Sequence, residues 1–399
     1  MTARIVCAQK GSWKMTRIYL VRHAEAEGNL YRRCHGWYNS QITLKGHQQI
    51  NALSERFKNI HIDAVYSSDL YRTMTTAQAI CRPHNLPLHL EPALREVGMG
   101  IWEDWTWGDA LQSDRESMAA FLRCDPNWHL EGSDTFPGVQ ERFCSAVERL
   151  ARAHPDQAIA CFTHGAAIRT AFARWMGLPI DRISEVPLGE NTCVSCIEIT
   201  DGKVHICYYA DDSHLTALSG DGPHNGSVGG GLMKLEENAL YFRPLDLTTG
   251  TEIYLEYRKD GWLASHGTMD GFDGEAFLRI AQYNYDYSPN SIQIAYANGT
   301  PVGMLQLDLE QESEQSVGRV PFLYIRPEYR SKGFGIQLLG QAIYTFRGYG
   351  RNRLRLRCAP ENSRAKNFYN RHGFHKIGEE PGGTGHLDTM ELYIGVELK

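Results

Sequence analysis

One stretch near the middle of the chain limits what the whole can fold into. Residues Ser219 to Gly231 read Ser-Gly-Asp-Gly-Pro-His-Asn-Gly-Ser-Val-Gly-Gly-Gly, with six glycines in thirteen residues. Such a run has almost nothing to bury and much backbone entropy to lose, so one continuous core is not expected to pass through it. A glycine-rich phosphate loop is the competing reading, but no strong apolar strand leads into it. The chain therefore reads as two domains, 15–217 and 236–399, with a linker over 218–235. Its 399 residues agree with this, at roughly 100–200 residues per domain.

A hydrophobic share of 42% against 22% charged residues allows sizeable cores and excludes wholesale disorder. The net charge of −6 argues against a general nucleic-acid-binding surface. No run approaches the ~18 apolar residues of a membrane span, and residues 1–14 lack the apolar run of a secretion signal, so a cytoplasmic protein without membrane partners is expected. Ten scattered cysteines do not make a disulfide framework. The one close pair, Cys193 and Cys196, lies on a β-rich run, where residues three apart face opposite ways, so no metal site is expected there. A homodimer is left open.

Before the linker, strand and helix patterns alternate. Arg17–Arg22, Asp63–Ser67 and Ala158–Phe162 are short apolar strands. Thr43 opens a helix with Ile50, Leu53 and Phe57 at spacings of three and four, and further helices run through Arg72–Ala79 and from Gly165. This order predicts a three-layer α/β/α domain with a mostly parallel sheet. After the linker, Pro321–Arg326 reads as a strand, Gly333–Phe346 as a helix, Arg353–Arg357 as an alternating half-exposed strand and Ser363–Arg371 as a helix.

Four polar residues of the first half share a placement. Arg22 and His23 follow the first strand, Arg72 follows the Ser67-Ser68-Asp69 turn, and His164 follows the strand ending at Phe162. Carboxyl ends of strands form the ligand crevice of a doubly wound sheet, and helix N-termini there favour anions. Two guanidinium groups and two imidazoles in that crevice suit a phosphoryl group.

The run Leu20-Val-Arg-His-Ala-Glu25 with Asn29 is followed by Gly36–Thr43 and Gly46, Ser67–Thr73, Leu94-Arg-Glu96, Thr163-His-Gly165, Asn191 and His214-Leu215. In this order they resemble the histidine phosphatase (phosphoglycerate mutase-like) superfamily over residues 15–215. The resemblance implies metal-independent hydrolysis of a small phosphomonoester, with His23 as the nucleophile that becomes a phosphohistidine. Arg22, Arg72 and His164 would neutralise the transferring group, and Glu96 would move the leaving-group proton. Asn29 and Arg33 would contact substrate. Two positions depart from the family pattern: Ala24 stands for the usual glycine, and Asn39 for a common acidic residue. A phosphoglycerate mutase-type phosphotransferase is the alternative. The compact stretch between Glu96 and His164, with Trp102, Trp105, Trp107 and Trp128, favours a phosphatase, most of those tryptophans reading as packing residues.

After the linker, Tyr324-Ile-Arg-Pro-Glu-Tyr-Arg-Ser-Lys-Gly-Phe-Gly335 joins a strand to a helix through an amide-rich turn suited to an anion. With Asn362, Phe368-Tyr369 and Gly373-Phe374 downstream, the segment resembles the GNAT N-acetyltransferase superfamily over 238–399, an α+β fold with a mixed sheet. This implies acetyl-coenzyme A as co-substrate and a small-molecule amine as acceptor. Its pyrophosphate would lie on Arg330, Lys332, Gly333 and Gly335, and its pantetheine arm along the backbone of Leu323 to Ile325. Asn362 would contact it, and Tyr369 would protonate the thiolate. Residues Arg319 to Lys376 hold thirteen Lys/Arg and two acids, a local +11 that suits a polyphosphate ligand. An RNA-binding patch is the distant alternative, lacking interleaved aromatics. The general base is not identified; Asp308, Glu310 and Glu312 read as solvated surface charges. A non-catalytic, cofactor-sensing second domain remains the other option.

Overall fold

The computed structural model describes residues 14–218, 231–382 and 385–396, so the glycine-rich residues 219–230 lie outside the described residues. In chain order the first elements are β1 (Met15–Arg22), α1 (Glu27–Leu30), α2 (Leu44–Phe57), β2 (Ala64–Ser67), α3 (Tyr71–His84) and β3 (Leu88–Leu90). Next come α4 (Trp107–Ser113), α5 (Arg115–Leu122), α6 (Phe136–Ala153), β4 (Ala158–Thr163), α7 (Gly165–Trp175), β5 (Val194–Thr200) and β6 (Lys203–Asp211). After the glycine-rich stretch follow α8 (Gly231–Asn238), β7 (Tyr241–Pro244), α9 (Leu247–His266), α10 (Gly274–Tyr287), β8 (Ile292–Ala297), β9 (Thr300–Asp308) and β10 (Val317–Ile325). The last are α11 (Phe334–Gly348), β11 (Arg353–Cys358), α12 (Ser363–Arg371), β12 (His375–Gly382) and β13 (Gly385–Tyr393). Helix α8 thus occupies residues 231–235, which the sequence reading assigned to the linker. Among the described residues no helix is long and apolar enough to cross a membrane.

The chain forms two compact units. The first comprises 14–25, 45–101 and 123–218 of the described residues; the second comprises 26–44, 102–122 and 231–396. Residues 26–44 and 102–122 therefore group with the second unit, although they precede the glycine-rich stretch.

The first unit holds a six-stranded sheet in the order β3-β2-β4-β1-β5-β6. The pairs β2–β3, β2–β4 and β1–β4 are parallel, while β1–β5 and β5–β6 are antiparallel. Strand β1 is central and buried on both faces, which is why it reads as a continuous apolar run. Tyr19 and Val21 face α2 and α3, packing with Leu53, Phe57, Ala77 and Ile80. Ile18 and Leu20, fully buried, point the other way, the side on which α6 and α7 lie against β1. In α2 the residues Gln49, Leu53 and Phe57 are buried at spacings of four. Helix α6 starts at Thr135, whose hydroxyl accepts from the Gly138 amide at 3.2 Å.

The second unit holds a seven-stranded sheet in the order β12-β13-β11-β10-β9-β8-β7, in which β10–β11 alone among the described pairs is parallel. Helices α11 and α12 cover one face over Leu339, Ile343, Phe346, Leu354 and Leu356. Helices α9 and α10 cover the other over Tyr254, Tyr257, Ala281, Met304 and Tyr324.

Residues 26–44 are tied into this unit by a buried ion pair. Arg347 of α11 donates through two nitrogens to Glu27 of α1, at 2.8 Å each, and both side chains are 12% exposed. Alongside, Arg33 pairs with Asp104 at 2.9 Å, donates to Gln341 at 3.1 Å and stacks 4.1 Å from the Tyr344 ring centre. Gly340 lets α11 approach: a Cβ there would meet Tyr31 at 2.5 Å. Glu27→Ala is expected to strand the Arg347 charge and cost about 3–5 kcal/mol. Glu27→Met with Arg347→Leu is expected to cost clearly less, as read by urea unfolding of the full chain.

Candidate functional site

Parallel pairing builds the first site. In the β1–β4 ladder Arg22 lies opposite Thr163, so the residues that follow, His23 and His164, leave adjacent strands side by side. Their ring centres are 5.3 Å apart at a tilt of 55°, and both side chains are buried. The Nδ1 of His23 lies 2.7 Å from the Ala24 carbonyl oxygen. A carbonyl only accepts, so Nδ1 carries the proton and Nε2 the lone pair. The His23 backbone is held from both sides: its N–H donates to Thr163 O at 2.9 Å, and its carbonyl accepts from Asn191 Nδ2 at 3.0 Å. On His164, Nε2 lies 2.8 Å from the Ser68 hydroxyl, which also contacts the Thr73 hydroxyl.

Arg22 and Arg72 are buried guanidinium groups, at 6% and 0% exposure. Arg22 donates to the Gly189 carbonyl. It also runs past the start of α7, where a Cβ on Gly165 would meet its Nε at 3.1 Å. The glycine after His164 is thus the residue that makes room for the arginine before His23. Arg72 lies in the first turn of α3, whose Thr76 hydroxyl accepts from the Ala24 amide at 3.0 Å.

Glu96 reaches the same strand–helix junction. Its carboxylate accepts from the amides of Ala166 at 3.0 Å and Ala167 at 2.9 Å in the first turn of α7, and from Val97 at 3.0 Å. The loop carrying it is pinned by Arg142 of α6, which donates to the carbonyls of Ala93, Arg95 and Glu96 and to the Asp134 carboxylate. Arg22, His23, Arg72, Glu96 and His164 are all residues of the first unit. Asn29 and Arg33 belong to the second. There Asn29 accepts from the Ala26 amide at 3.0 Å and contacts His35 at 3.3 Å, while Arg33 is spent on Asp104, Gln341 and Tyr344. Of the four tryptophans, Trp102, Trp107 and Trp128 are buried and Trp105 is exposed.

In the second unit the strand that would lie along a ligand is half unpaired. The β10–β11 ladder runs from Val317↔Arg353 to Val320↔Leu356 and stops, whereas β10 stays paired with β9 to Ile325↔Gly303, past a bulge between Arg319 and Phe322. The backbone of Phe322–Ile325, including Leu323, therefore has no strand partner on its β11 side. Beyond it, Ser331 and Gly333 adopt left-handed φ of 64° and 78°, and Gly333 caps α11. No backbone carbonyl among the described residues accepts from the amides of Ser331, Lys332 or Gly333. A Cβ on Gly333 would meet nothing, and one on Gly335 only the Phe368 ring at 3.5 Å. Amides so placed at a helix start suit an anion, and the open strand edge suits an extended amide-bearing arm. The residues present thus fit a coenzyme with a polyphosphate and a pantetheine chain.

The side chains around the cradle are more committed than the sequence suggested. Arg330 donates to Ile325 O at 2.8 Å and pairs with Asp260 at 3.0 Å, and Asp260 also accepts from the Tyr324 hydroxyl at 2.6 Å. Lys332 lies 5.0 Å from the Tyr329 ring centre. Asn362 caps α12 by accepting from Ala365 N at 3.0 Å, and donates to Ser265. Tyr369 is buried against Phe368 and Phe374, and burial pushes its hydroxyl pKa well up. Of the acids expected to be solvated, Glu310 is exposed, while Asp308 and Glu312 are engaged within the fold. Asp308 is buried and accepts from the Glu310 and Gln311 amides, Glu310 accepts from Tyr283, and Glu312 pairs with Arg319 and Arg355.

Ser68 is marked in the sequence only as part of the turn before Arg72, and Arg142 and Asp260 carry no signal there, since no spacing rule reveals a side chain that acts by holding another. His214 carries a sequence signal only as part of the His214-Leu215 motif. Arg56 donates to its Nδ1 at 3.3 Å, so its Nε2 donates to the Thr192 hydroxyl at 3.1 Å, and the Thr192 amide lies 3.3 Å from His23 O. Among the described residues no three His, Cys, Asp or Glu side chains converge as a metal site.

Comparison with known proteins matches residues 18–212 to the Histidine phosphatase superfamily (branch 1) and residues 257–374 to the Acetyltransferase (GNAT) family. The "Metal-independent phosphoserine phosphatase" of Arabidopsis thaliana is 29% identical over 208 residues, covering 51% of this chain and 85% of its own length. "Probable phosphoglycerate mutase GpmB" of Photorhabdus laumondii is 31% identical over 166 residues, covering 41% of this chain and 77% of its own. Among solved structures, Bacillus stearothermophilus YhfR is 30% identical, with 50% of this chain and 99% of that one covered and a TM-score of 0.49.

Burial pushes the His214 pKa down to about 4, from about 6.5 in the unfolded chain. The unfolded state then binds more protons than the folded one between those values. The stability that His214 contributes is present above pH 6.5 and is lost as pH falls towards 4. Urea midpoints of the wild type should fall across that window, and His214→Gln should flatten the fall.

Proposed function

The chain belongs to the histidine phosphatase superfamily and carries a GNAT acetyltransferase domain in the same polypeptide, and from that premise we propose a bifunctional enzyme that hydrolyses a small phosphomonoester at His23 and acetylates a small-molecule amine. The observation that carries the first half is the pair of buried imidazoles 5.3 Å apart, with the His23 proton fixed on Nδ1. In this reading the His23 Nε2 lone pair attacks phosphorus in line, the P–N bond forms, and the ester P–O bond breaks. Glu96 gives the leaving oxygen its proton. Water then attacks the phosphohistidine, Glu96 takes a proton from it, and the P–N bond breaks to release phosphate. Arg22, Arg72 and His164 counter the charge on the three equatorial oxygens. No metal is needed for this sequence of steps. O-phosphoserine is the first substrate to test, being named in the Arabidopsis relative.

For the second half, the open edge of β10 and the amides of Ser331 to Gly333 would hold acetyl-coenzyme A. When bound it supplies the acetyl group: the amine nitrogen gains it and loses a proton, and the coenzyme leaves as its thiol. Tyr369 stays protonated through its burial and is the proton donor for that thiol. The backbone of Leu323 to Ile325 aligns the arm, and Arg330, fixed by Asp260, presents guanidinium donors beside the cradle.

A screen of sugar, nucleotide and amino-alcohol phosphates with O-phosphoserine should find metal-independent phosphate release. His23→Ala should lower it by roughly 10⁴-fold or more, and quenched wild-type turnover should show acid-labile label on His23. Turnover that survives His23→Ala would refute the nucleophile. A panel of amines with acetyl-coenzyme A should release free thiol. Tight coenzyme binding without release from any amine would assign the second unit to sensing instead.

A further inference from the structure

The second unit buries one positive charge that no described carboxylate neutralises. Arg258, midway along α9, is 6% exposed. Its Nε donates to the Tyr254 hydroxyl at 2.9 Å, and its Nη2 donates to Gln306 Oε1. Gln306 in turn donates to Asn284 at 2.8 Å. These partners are all neutral. The rings of Phe322 and Phe277 flank the guanidinium carbon at 4.1 and 4.7 Å. Besides Tyr254, the charge that acts on Arg258 is a second cation, Arg357, and both burial and that neighbour disfavour its protonated form. A desolvated guanidinium without a counter-ion is costly.

The neighbouring arginines are handled differently. Arg319 and Arg355 lie opposite each other in the β10–β11 ladder. Both are neutralised, Arg319 by Glu312 and Glu380, Arg355 by Glu312 and Glu391. Arg357, two residues on and therefore on the same face of β11, forms no ion pair with a described residue. It is exposed, and stands just past Leu356, where the ladder to β10 ends. One turn beyond Arg258 on α9, the Trp262 indole Nε1 is buried without an acceptor among the described residues. Its ring lies 6.0 Å from that of Phe277, which also flanks Arg258. Uncommitted donors and positive charge thus gather beside the gap between β10 and β11, where the acid that acts on Arg357, Glu380, is already paired with Arg319.

We propose that the acetyl acceptor is an amine bearing an anionic group, a carboxylate or a phosphate, and that Arg258 and Arg357 bind that group beside this gap. The inference rests on the acetyltransferase reading of the second unit and names its substrate class. An amine without an anion would bring a third positive charge to two guanidinium groups. An anion supplies the missing counter-charge and acceptors, through charge-assisted hydrogen bonds. Specificity would follow from the cost of leaving Arg258 unmatched when a neutral group takes that place.

The test uses the full chain carrying His23→Ala, so that phosphate esters stay intact, saturated with acetyl-coenzyme A. Thiol release is compared for ethanolamine, β-alanine and phosphoethanolamine. The two anionic amines should each exceed ethanolamine in kcat/KM by roughly tenfold or more, and their ratio tells carboxylate from phosphate. Arg357→Gln should raise KM for the anionic amines by a similar factor while leaving ethanolamine and the KM for acetyl-coenzyme A unchanged. Arg258→Gln should do the same more strongly; if its melting curve shows a fold loss, Arg357→Gln, an exposed position, decides alone. Equal use of all three amines, or an equal loss for all three in Arg357→Gln, would overturn the proposal. If none is acetylated, titration calorimetry on the coenzyme-loaded protein separates the two readings. Binding of anionic amines that Arg357→Gln abolishes keeps the anion site and refutes acetyl transfer, and absence of binding refutes both.

Discussion

Two parallel strands in register place two imidazoles side by side, and the rest of the first site is arranged around that fact. Because Arg22 lies opposite Thr163, the chain leaves β1 and β4 at the same level, and His23 and His164 follow. Neither histidine needs a loop of its own to find the other. The strands fix the Cα positions, and short-range bonds fix the rings: Ala24 O on His23, Ser68 on His164. The N-terminus of α7 then receives the Glu96 carboxylate, and Gly165 clears the path of Arg22. Preorganisation of this kind removes reorganisation from whatever chemical step a site performs.

The second unit leaves a strand edge open by interrupting a ladder. A bulge after Arg319 turns β10 away from β11, so four residues keep their pairing on one side and lose it on the other. Left bare, such an edge invites aggregation; here it lies between two helical layers and next to an amide cradle. The arginines of β11 show a division of labour along one face. Inside the ladder Arg355 is tied to two glutamates and Arg353 donates to the Gln315 carbonyl, whereas Arg357 at the opening forms no ion pair with a described residue.

Much of this was legible in the sequence, for identifiable reasons. Strands β1, β2 and β4 are short apolar runs ending in polar residues, and α12 spans Ser363–Arg371 as expected. The ordered motifs around His23, Ser67–Thr73 and His164 mark residues that the fold brings together, because local spacing carries that information. What was not legible depends on distant partners. Nothing near Arg33 signals that Asp104 and Gln341 will claim it, and nothing near Asn362 distinguishes a helix cap from a ligand contact. Glu312 looks like a surface acid until Arg319 and Arg355 are folded against it. The grouping of residues 26–44 and 102–122 with the second unit was hidden for the same reason.

The ion pair between Glu27 and Arg347 spans 320 residues. At about 5–20 residues per second, a ribosome needs roughly 15–60 s to travel from one partner to the other. For that interval a carboxylate destined for a dry interior waits in water, and the segment carrying it must be kept from pairing elsewhere. The segment 26–44 can settle only after α11 has been made, so its maturation waits on a helix synthesised long after it.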